Sequence, residues 1–262
     1  MSDISYELKQ GIACIKLTRP QKRNAMSDSM LIELGAAVDR AAKEAKAAIL
    51  FGEGDHFCAG LDLAEHLDKT ALQGIDGSRA WHAVFARIQR GAIPYFAALH
   101  GAVVGGGLEL ASICHVRVAD ETAFFALPEG RRGIFVGGGG SVNITRIMGV
   151  ARMTDMMLTG RVLSPQEGEN YGVVTYITPA GEAFDKAFEL AQKAAKNAPL
   201  SNYAIINALQ RIHDSGYDEG LFFESMIASL TQTTPEAKAG LKEFLDKKAE
   251  RLAVPDDVKG KG

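Results

Sequence analysis

Two glutamates in an apolar, glycine-rich stretch are the residues of this chain best suited to acid–base chemistry. Glu109 follows the run Gly105-Gly106-Gly107, and Glu129 precedes the run Gly137 to Gly140. Both have apolar neighbours, which predicts burial, and a buried carboxyl group is costly without a functional reason. Two carboxyl groups in one apolar cleft repel each other, so one of them keeps its proton near neutral pH. The pair would supply one general acid and one general base, as adding water across a double bond requires.

The two glycine runs supply backbone N–H groups. Each run follows an apolar, strand-like segment, residues 102–104 and 134–136, and each precedes residues that can open a helix. The first turn of a helix presents unpaired N–H groups, which suit an oxygen that becomes anionic during a reaction. Neither run fits a Walker loop or a dinucleotide fingerprint. We therefore predict an enolate-stabilising pocket flanked by two carboxylates; plain turns and solvated surface charges are the alternatives.

The composition is that of an ordinary globular protein. The chain has 262 residues, a formal net charge of −3, 47% hydrophobic residues and 23% charged residues. This balance gives no case for binding nucleic acid or an anionic membrane, and we find neither a signal peptide nor a membrane-spanning run. The three cysteines and six histidines show no metal-ligand spacing. We therefore expect no metal site, and a cytoplasmic location.

Alternating strands and helices predict an α/β fold built from βαβ units. The predicted strands cover residues 12–17, 47–51, 94–99, 102–104, 134–136 and 173–177. The predicted helices cover residues 28–45, 81–89, 141–148, 151–158, 165–171, 183–194, 200–212, 221–230 and 235–251, with one more opening after Gly107. A polar, mobile segment is expected after Leu63, through Ser78. We expect a core over residues 1–195, a helical C-terminal subdomain over 196–262 and a disordered tail over 253–262.

Three aromatic residues, Trp81, Phe85 and Phe135, are candidates for the lining of an acyl pocket. Packing in the core is the alternative for each of them. Cys58 and Cys114 have no identifiable base partner, so we interpret both as small buried hydrophobic residues.

The motifs resemble those of the enoyl-CoA hydratase/isomerase (crotonase) family along nearly the whole chain. The matching segments are RPQKRNAMS (19–27), FCAGLDL (57–63), GAVVGGGLEL (101–110), Pro128-Glu129 and the glycine run 137–140. The resemblance implies a spiral of ββα units with a helical C-terminal trimerisation region, assembled as a trimer or a dimer of trimers. The run PEGRRGIFVGGGGSV is also similar to the methylthioacryloyl-CoA hydratase branch.

The resemblance also implies a reaction, the hydration of a 2-enoyl-CoA thioester, with coenzyme A as part of the substrate and no separate cofactor. The backbone N–H groups of Leu61 and Gly106 would hold the thioester oxygen. Glu109 and Glu129 would hold a water molecule that also contacts the Gly137 N–H. The positions that match coenzyme A contacts are Arg23, Ala25, Ala59, Asp62, Phe244 and Lys247.

The chain departs from the family pattern at two places. Ala64 stands where a lysine is common, and Phe135-Val136 stand where Ile-Pro is common. The contact to the coenzyme A phosphate and the preferred acyl group therefore stay open.

Two other functions are the alternatives. One is another crotonase chemistry, either double-bond isomerisation or hydration coupled to C–C cleavage of an aromatic acyl-CoA. Isomerisation needs only one base, so the presence of both glutamates favours hydration. The other is a non-catalytic or RNA-binding member of the fold, against which the acidic balance and the two glutamates argue. We expect an acyl-CoA substrate and further copies of the chain as partners, and neither nucleic acid nor a membrane.

Overall fold

The structure of the protein is a computed structural model that describes residues 2–246. The chain forms two compact units, divided between Asn207 and Ala208. The sequence-based division after residue 195 stays a prediction. The predicted tail, 253–262, lies outside the described residues. Within the described part of the chain, no helix is both long and apolar enough to cross a bilayer.

Within residues 2–246 the strands form a six-stranded and a three-stranded sheet. The larger sheet has the order β1 (Ile4–Lys9), β2 (Ile12–Leu17), β3 (Ala47–Gly52), β4 (Tyr95–Leu99), β6 (Val116–Asp120) and β9 (Tyr176–Thr178). The smaller sheet has the order β5 (Ala102–Val104), β7 (Phe124–Ala126) and β8 (Val162–Leu163). Strand β2 pairs antiparallel with β1 and parallel with β3, and the larger sheet continues parallel to β9. The pairs β4–β5 and β6–β7 each give one strand to each sheet, which produces the predicted spiral.

The helices connect these strands and form the C-terminal region. They are α1 (Asp28–Glu44), α2 (Ala71–Gln89), α3 (Gly106–Ser112), α4 (Gly140–Met148), α5 (Val150–Thr159), α6 (Pro165–Asn170), α7 (Ala183–Ala195), α8 (Pro199–Asp214), α9 (Tyr217–Gln232) and α10 (Pro235–Leu245). Three predicted helix starts are confirmed, because the hydroxyls of Ser27, Ser164 and Thr234 each accept a backbone N–H in the first turn. The α/β class, the ββα spiral and the C-terminal helices are confirmed.

Helices cover both faces of the larger sheet, and the sheet residues alternate between two cores. Leu50 of β3 belongs to the main core, together with Leu34 of α1 and Val84 of α2. Its neighbour Ile49 belongs to the second core, with Ala187 of α7. Cys58 and Cys114 are buried as predicted, and burial raises the pKa of both thiols to about 12, so they act as packing residues.

The structure corrects the prediction of a mobile segment from residue 64 through Ser78. Helix α2 begins at Ala71, so the second half of this segment is helical. The Thr70 hydroxyl accepts the Gln73 N–H and the Gln73 side chain accepts the Thr70 N–H, which forms a capping box. Gly74 and Gly77 are the reason why the sequence did not predict this helix, because each glycine is about 1 kcal/mol less favourable than alanine in a helix interior.

The strand predicted at residues 134–136 is also wrong. This segment is irregular and follows a short 3₁₀ turn, Gly130–Arg132. The carbonyl of Glu129 accepts N–H groups from both Arg132 and Ile134, which closes the chain into a turn. A run of three apolar residues was too short to separate a strand from an irregular segment.

Candidate active site

A cavity of about 370 Å³ lies where α2, α3 and the two glycine-rich segments meet. The predicted site residues among those that line it are Ala59, Leu61, Trp81, Gly106, Glu109, Glu129, Phe135 and Gly137. The structure therefore brings together both candidate catalytic glutamates, both candidate oxyanion donors and the candidate water contact. They come from separate parts of the sequence, and the spiral of strands is what joins them.

The segment that carries Leu61 runs beside β5, which brings two backbone N–H groups together. Cys58 donates its N–H to the Ala102 carbonyl at 2.9 Å, and its own carbonyl accepts the Val104 N–H at 3.1 Å. A Cβ placed on Gly106 would lie 3.4 Å from the nitrogen of Leu61. Among residues 2–246, neither the Leu61 N–H nor the Gly106 N–H donates a hydrogen bond. Both donors are thus available to an oxygen atom in the cavity.

Glycine at position 60 permits this close approach. Gly60 has φ of +97°, and a Cβ there would lie 2.7 Å from the Val104 carbonyl oxygen and 3.1 Å from the nitrogen of Gly106. A side chain would push the two segments apart and would strain the backbone. The hydrogen atom of glycine is therefore what keeps the Leu61 and Gly106 donors adjacent.

Glu109 lies in the first turn of α3, is only 4% exposed, and is fixed by the second glycine run. Its Oε1 atom accepts the N–H groups of Gly138 and Gly140, each at 2.8 Å. Burial raises the pKa of Glu109, while these N–H groups and the nearby His82 act in the opposite direction. The carboxylate form thus has dedicated donors inside an apolar site.

Glu129 follows Pro128, opens the 3₁₀ turn and is 6% exposed. Within the described residues its Oε2 atom has no hydrogen-bond partner. Burial raises the pKa of Glu129, the charge of Glu109 raises it further, and Arg132 lowers it. Because Glu129 also lines the cavity, this buried oxygen is placed to form a hydrogen bond with a molecule bound there.

The aromatic candidates lie at different depths. A Cβ on Gly106 would lie 3.0 Å from Trp81 Cη2, and a Cβ on Gly138 would lie 2.9 Å from Trp81 Cε3. Trp81 is therefore wedged between the two glycine segments and forms part of the cavity wall. Phe85 packs behind it, with ring centroids 5.3 Å apart, and is not among the residues that line the cavity. Phe135 lines the cavity and is 68% exposed.

The candidate coenzyme A positions are only partly brought together. Ala59 lines the cavity and donates its N–H to the Arg23 carbonyl at 2.9 Å, whereas Arg23, Ala25 and Asp62 do not line it. The Asp62 side chain forms an ion pair with Arg19 at 3.0 Å.

Two further candidate coenzyme A positions belong to the C-terminal unit of the chain. Phe244 is an exposed residue of α10. Lys247 lies outside the described residues.

Two residues that line the cavity, Ser78 and Arg132, were not among the predicted site residues. The second glycine run does supply backbone N–H groups, and those of Gly138 and Gly140 donate to Glu109. The capping box at Thr70 was the available signal for Ser78, because it places Ser78 on the same helix as Trp81.

Comparison with known sequences decides the family. The sequence model of the family described as enoyl-CoA hydratase/isomerase matches residues 7–252. The chain belongs to the enoyl-CoA hydratase/isomerase family. The resemblance identified from the motifs is thereby confirmed, and so is the prediction of an enzyme of the enoyl-CoA hydratase family.

Relatives within the family align over almost the full length of the chain. The 2,3-dehydroadipyl-CoA hydratase of Escherichia coli K12 is 31% identical over 95% of this chain and 97% of its own. Enoyl-CoA hydratase EchA19 of Mycobacterium tuberculosis H37Rv is 30% identical over 94% and 95%.

Solved structures of the family share the fold. A crystal structure from Rhodopseudomonas palustris CGA009 is 47% identical, with a TM-score of 0.91 over 94% of this chain and 96% of that chain. The enoyl-CoA hydratase of Bacillus anthracis is 29% identical, with a TM-score of 0.89 over 95% and 98%.

Proposed function

We propose that this protein is a 2-enoyl-CoA hydratase, which adds water across the α,β double bond of an acyl-CoA thioester. The observation that carries the proposal is that one cavity holds two buried glutamates and two backbone N–H groups that donate no hydrogen bond within residues 2–246. The relatives in Escherichia coli and Mycobacterium tuberculosis, both named as hydratases, support it.

The backbone donors would stabilise the charge that develops on the thioester oxygen. Attack of water at the β-carbon moves electrons toward the carbonyl and gives the substrate enolate character. The N–H groups of Leu61 and Gly106 would donate hydrogen bonds to this oxygen in a largely apolar cavity, where such interactions are stronger than in water. Loss of one such donor typically costs about 10²–10³ in rate.

We assign the role of base to Glu109 and the role of acid to Glu129. Two N–H donors at 2.8 Å stabilise the carboxylate of Glu109, so it can take a proton from the attacking water. Burial and the charge of Glu109 favour the protonated form of Glu129, which can then give its proton to the α-carbon. The hydroxyl joins the β-carbon, and proton exchange with solvent resets the pair. The two groups titrate as a coupled pair.

The test measures loss of the enoyl-thioester absorbance with crotonyl-CoA, methylthioacryloyl-CoA and a cinnamoyl-CoA. We expect the wild type to consume at least one substrate and Glu129→Gln to be inactive on it. The fastest substrate would identify the acyl group. Failure on all three, with conversion of a 3-enoyl-CoA to a 2-enoyl-CoA, would assign an isomerase instead. Salt-dependent retention of RNA on a filter, without turnover, would favour the RNA-binding alternative.

We also propose that the chain assembles as a trimer or a dimer of trimers. Four apolar side chains of α9 are at least half exposed: Phe222, Phe223, Met226 and Leu230. Such a face is typical of an interface. Light scattering should give about three or six times the chain mass of 28.0 kDa, and a 28.0 kDa particle would contradict the proposal. The coenzyme A contacts stay predictions at all six positions: Arg23, Ala25, Ala59, Asp62, Phe244 and Lys247. The absence of a separate cofactor and the cytoplasmic location also stay predictions.

A further inference from the structure

The peptide bond between Gly137 and Gly138 is held at both ends by side chains. Its carbonyl oxygen, on Gly137, accepts the hydroxyl proton of Ser78 at 2.6 Å. Its N–H, on Gly138, donates to Oε1 of Glu109 at 2.8 Å. One peptide group thus links Ser78 on α2 to the proposed catalytic base on α3.

The anchor on α2 extends one turn further along the helix. The Nε2 atom of His82 lies 3.5 Å from the Ser78 hydroxyl oxygen. Because Ser78 gives its only hydroxyl proton to Gly137, the Nε2–H tautomer of His82 is the form that donates to Ser78. Hydrogen bonds in such a chain polarise one another, and a carbonyl that accepts a bond makes the N–H of the same peptide a better donor.

Four consecutive glycines need such an anchor. Glycine loses more conformational freedom on folding than any other residue, so the run 137–140 is intrinsically adaptable. The closest atoms to an added Cβ on Gly137 belong to Ser78, at 3.9 and 4.0 Å. The nineteen-residue helix α2 provides a rigid support for this contact.

We propose that Ser78 is a positioning residue for the hydration reaction: through the Gly137–Gly138 peptide it holds the carboxylate of Glu109 in place. This inference rests on the proposed function. Ser78 itself contacts the peptide group in this scheme, whereas Glu109 and Glu129 would contact the reacting atoms.

The proposal predicts the direction in which the pKa of Glu109 moves. The titratable groups that face Glu109 are Glu129, from the loop after β7, and His82, from α2. Removal of the Ser78 hydroxyl leaves both in place but weakens the Gly138 donor, so the pKa of Glu109 should rise further. Since the ionised form is the base, activity falls as the pH drops through this pKa. The acidic limb of the profile of kcat/KM against pH should therefore move to higher pH.

The experiment compares Ser78→Ala with Ser78→Thr, which keeps a hydroxyl, and with Ser225→Ala as the matched control. Ser225 makes the same kind of bond, to the Phe222 carbonyl at 2.7 Å, within α9. Loss of one such hydrogen bond predicts a fall in kcat of about three- to tenfold in Ser78→Ala. KM should be nearly constant, Ser78→Thr should recover most of the rate, and Ser225→Ala should match the wild type.

A second readout does not depend on turnover. The carboxyl resonance of Glu109, followed by ¹³C NMR and assigned through its absence in Glu109→Gln, should titrate at higher pH in Ser78→Ala than in the wild type. An unchanged titration, or lower thermal stability with kcat and the acidic limb unchanged, would overturn the proposal. If the wild type hydrates no substrate but the NMR titration still moves, the hydratase assignment fails while the contact to Glu109 stands.

Discussion

Glu109 and Gly140 are in direct contact where α3 meets α4. The Gly140 N–H donates to Oε1 of Glu109 at 2.8 Å, and a Cβ on Gly140 would lie 2.8 Å from Glu109 Cγ and 2.9 Å from Oε1. Because Gly140 has no side chain, the carboxylate of Glu109 can occupy the space beside it. The position of the proposed base therefore depends on a glycine 31 residues later in the sequence.

Replacing Gly140 by alanine should displace Glu109. The added methyl group has no room beside the carboxylate, and a misplacement of about 1 Å can cost about 100-fold in rate. We expect Gly140→Ala to lower kcat for crotonyl-CoA by about that factor, with circular dichroism unchanged. The control is Gly240→Ala in α10, where no described atom lies within 4 Å of the added Cβ. Wild-type rates in Gly140→Ala would show that the position of Glu109 does not matter.

The charge of Arg132 should influence the alkaline side of the pH profile. Arg132 lines the cavity one turn after Glu129 and lowers the pKa of that carboxyl group. Arg132→Leu should therefore raise the pKa of Glu129. Because Glu129 must hold its proton to act as the acid, activity is lost as the pH rises through this pKa, and the alkaline limb should move to higher pH. Arg132→Lys keeps the charge and should keep the wild-type limb; a limb that moves down in Arg132→Leu would contradict the assignment.

Trp81 should limit the length of the acyl group. It is wedged between Gly106 and Gly138, so a smaller side chain would enlarge the cavity beside the proposed oxyanion donor Gly106. We expect Trp81→Leu to raise kcat/KM for decenoyl-CoA relative to crotonyl-CoA, and to lower the free energy of unfolding by about 2 kcal/mol, less than the loss typical of truncation to alanine. Phe85→Leu removes a ring from the same core without reaching the cavity and should leave the ratio unchanged. An equal change in both variants would rule out a specific role for Trp81.

The sequence was sufficient to predict those features that follow from the type of a residue and its neighbours in the chain. Glu109 and Glu129 could be predicted as a buried pair because carboxyl groups in apolar segments are unusual, and the adjacent glycine runs indicated backbone donors. The start of α1 could be predicted because Ser27 is a favourable cap followed by helical spacing of apolar residues. Each of these features depends on neighbours within one segment.

The contacts that position the proposed base, Glu109, could be found only in the three-dimensional structure. Ser78 donates to a carbonyl 59 residues later in the chain, and any serine could have made or lacked that bond. The irregular course of residues 134–136 depends on the Glu129 carbonyl, which accepts N–H groups from Arg132 and Ile134. Backbone carbonyls are identical in every residue, so no sequence pattern identifies which one a side chain will contact.

The most direct test of the account is kcat for hydration of crotonyl-CoA by Glu109→Gln, by Glu129→Gln and by the double variant. A base and an acid that act on one water in one step predict a loss of about 10²–10⁴ in each single variant. The double variant should lose little more than the slower single variant, because either change already disables the step. Near wild-type rates in either single variant would contradict the account.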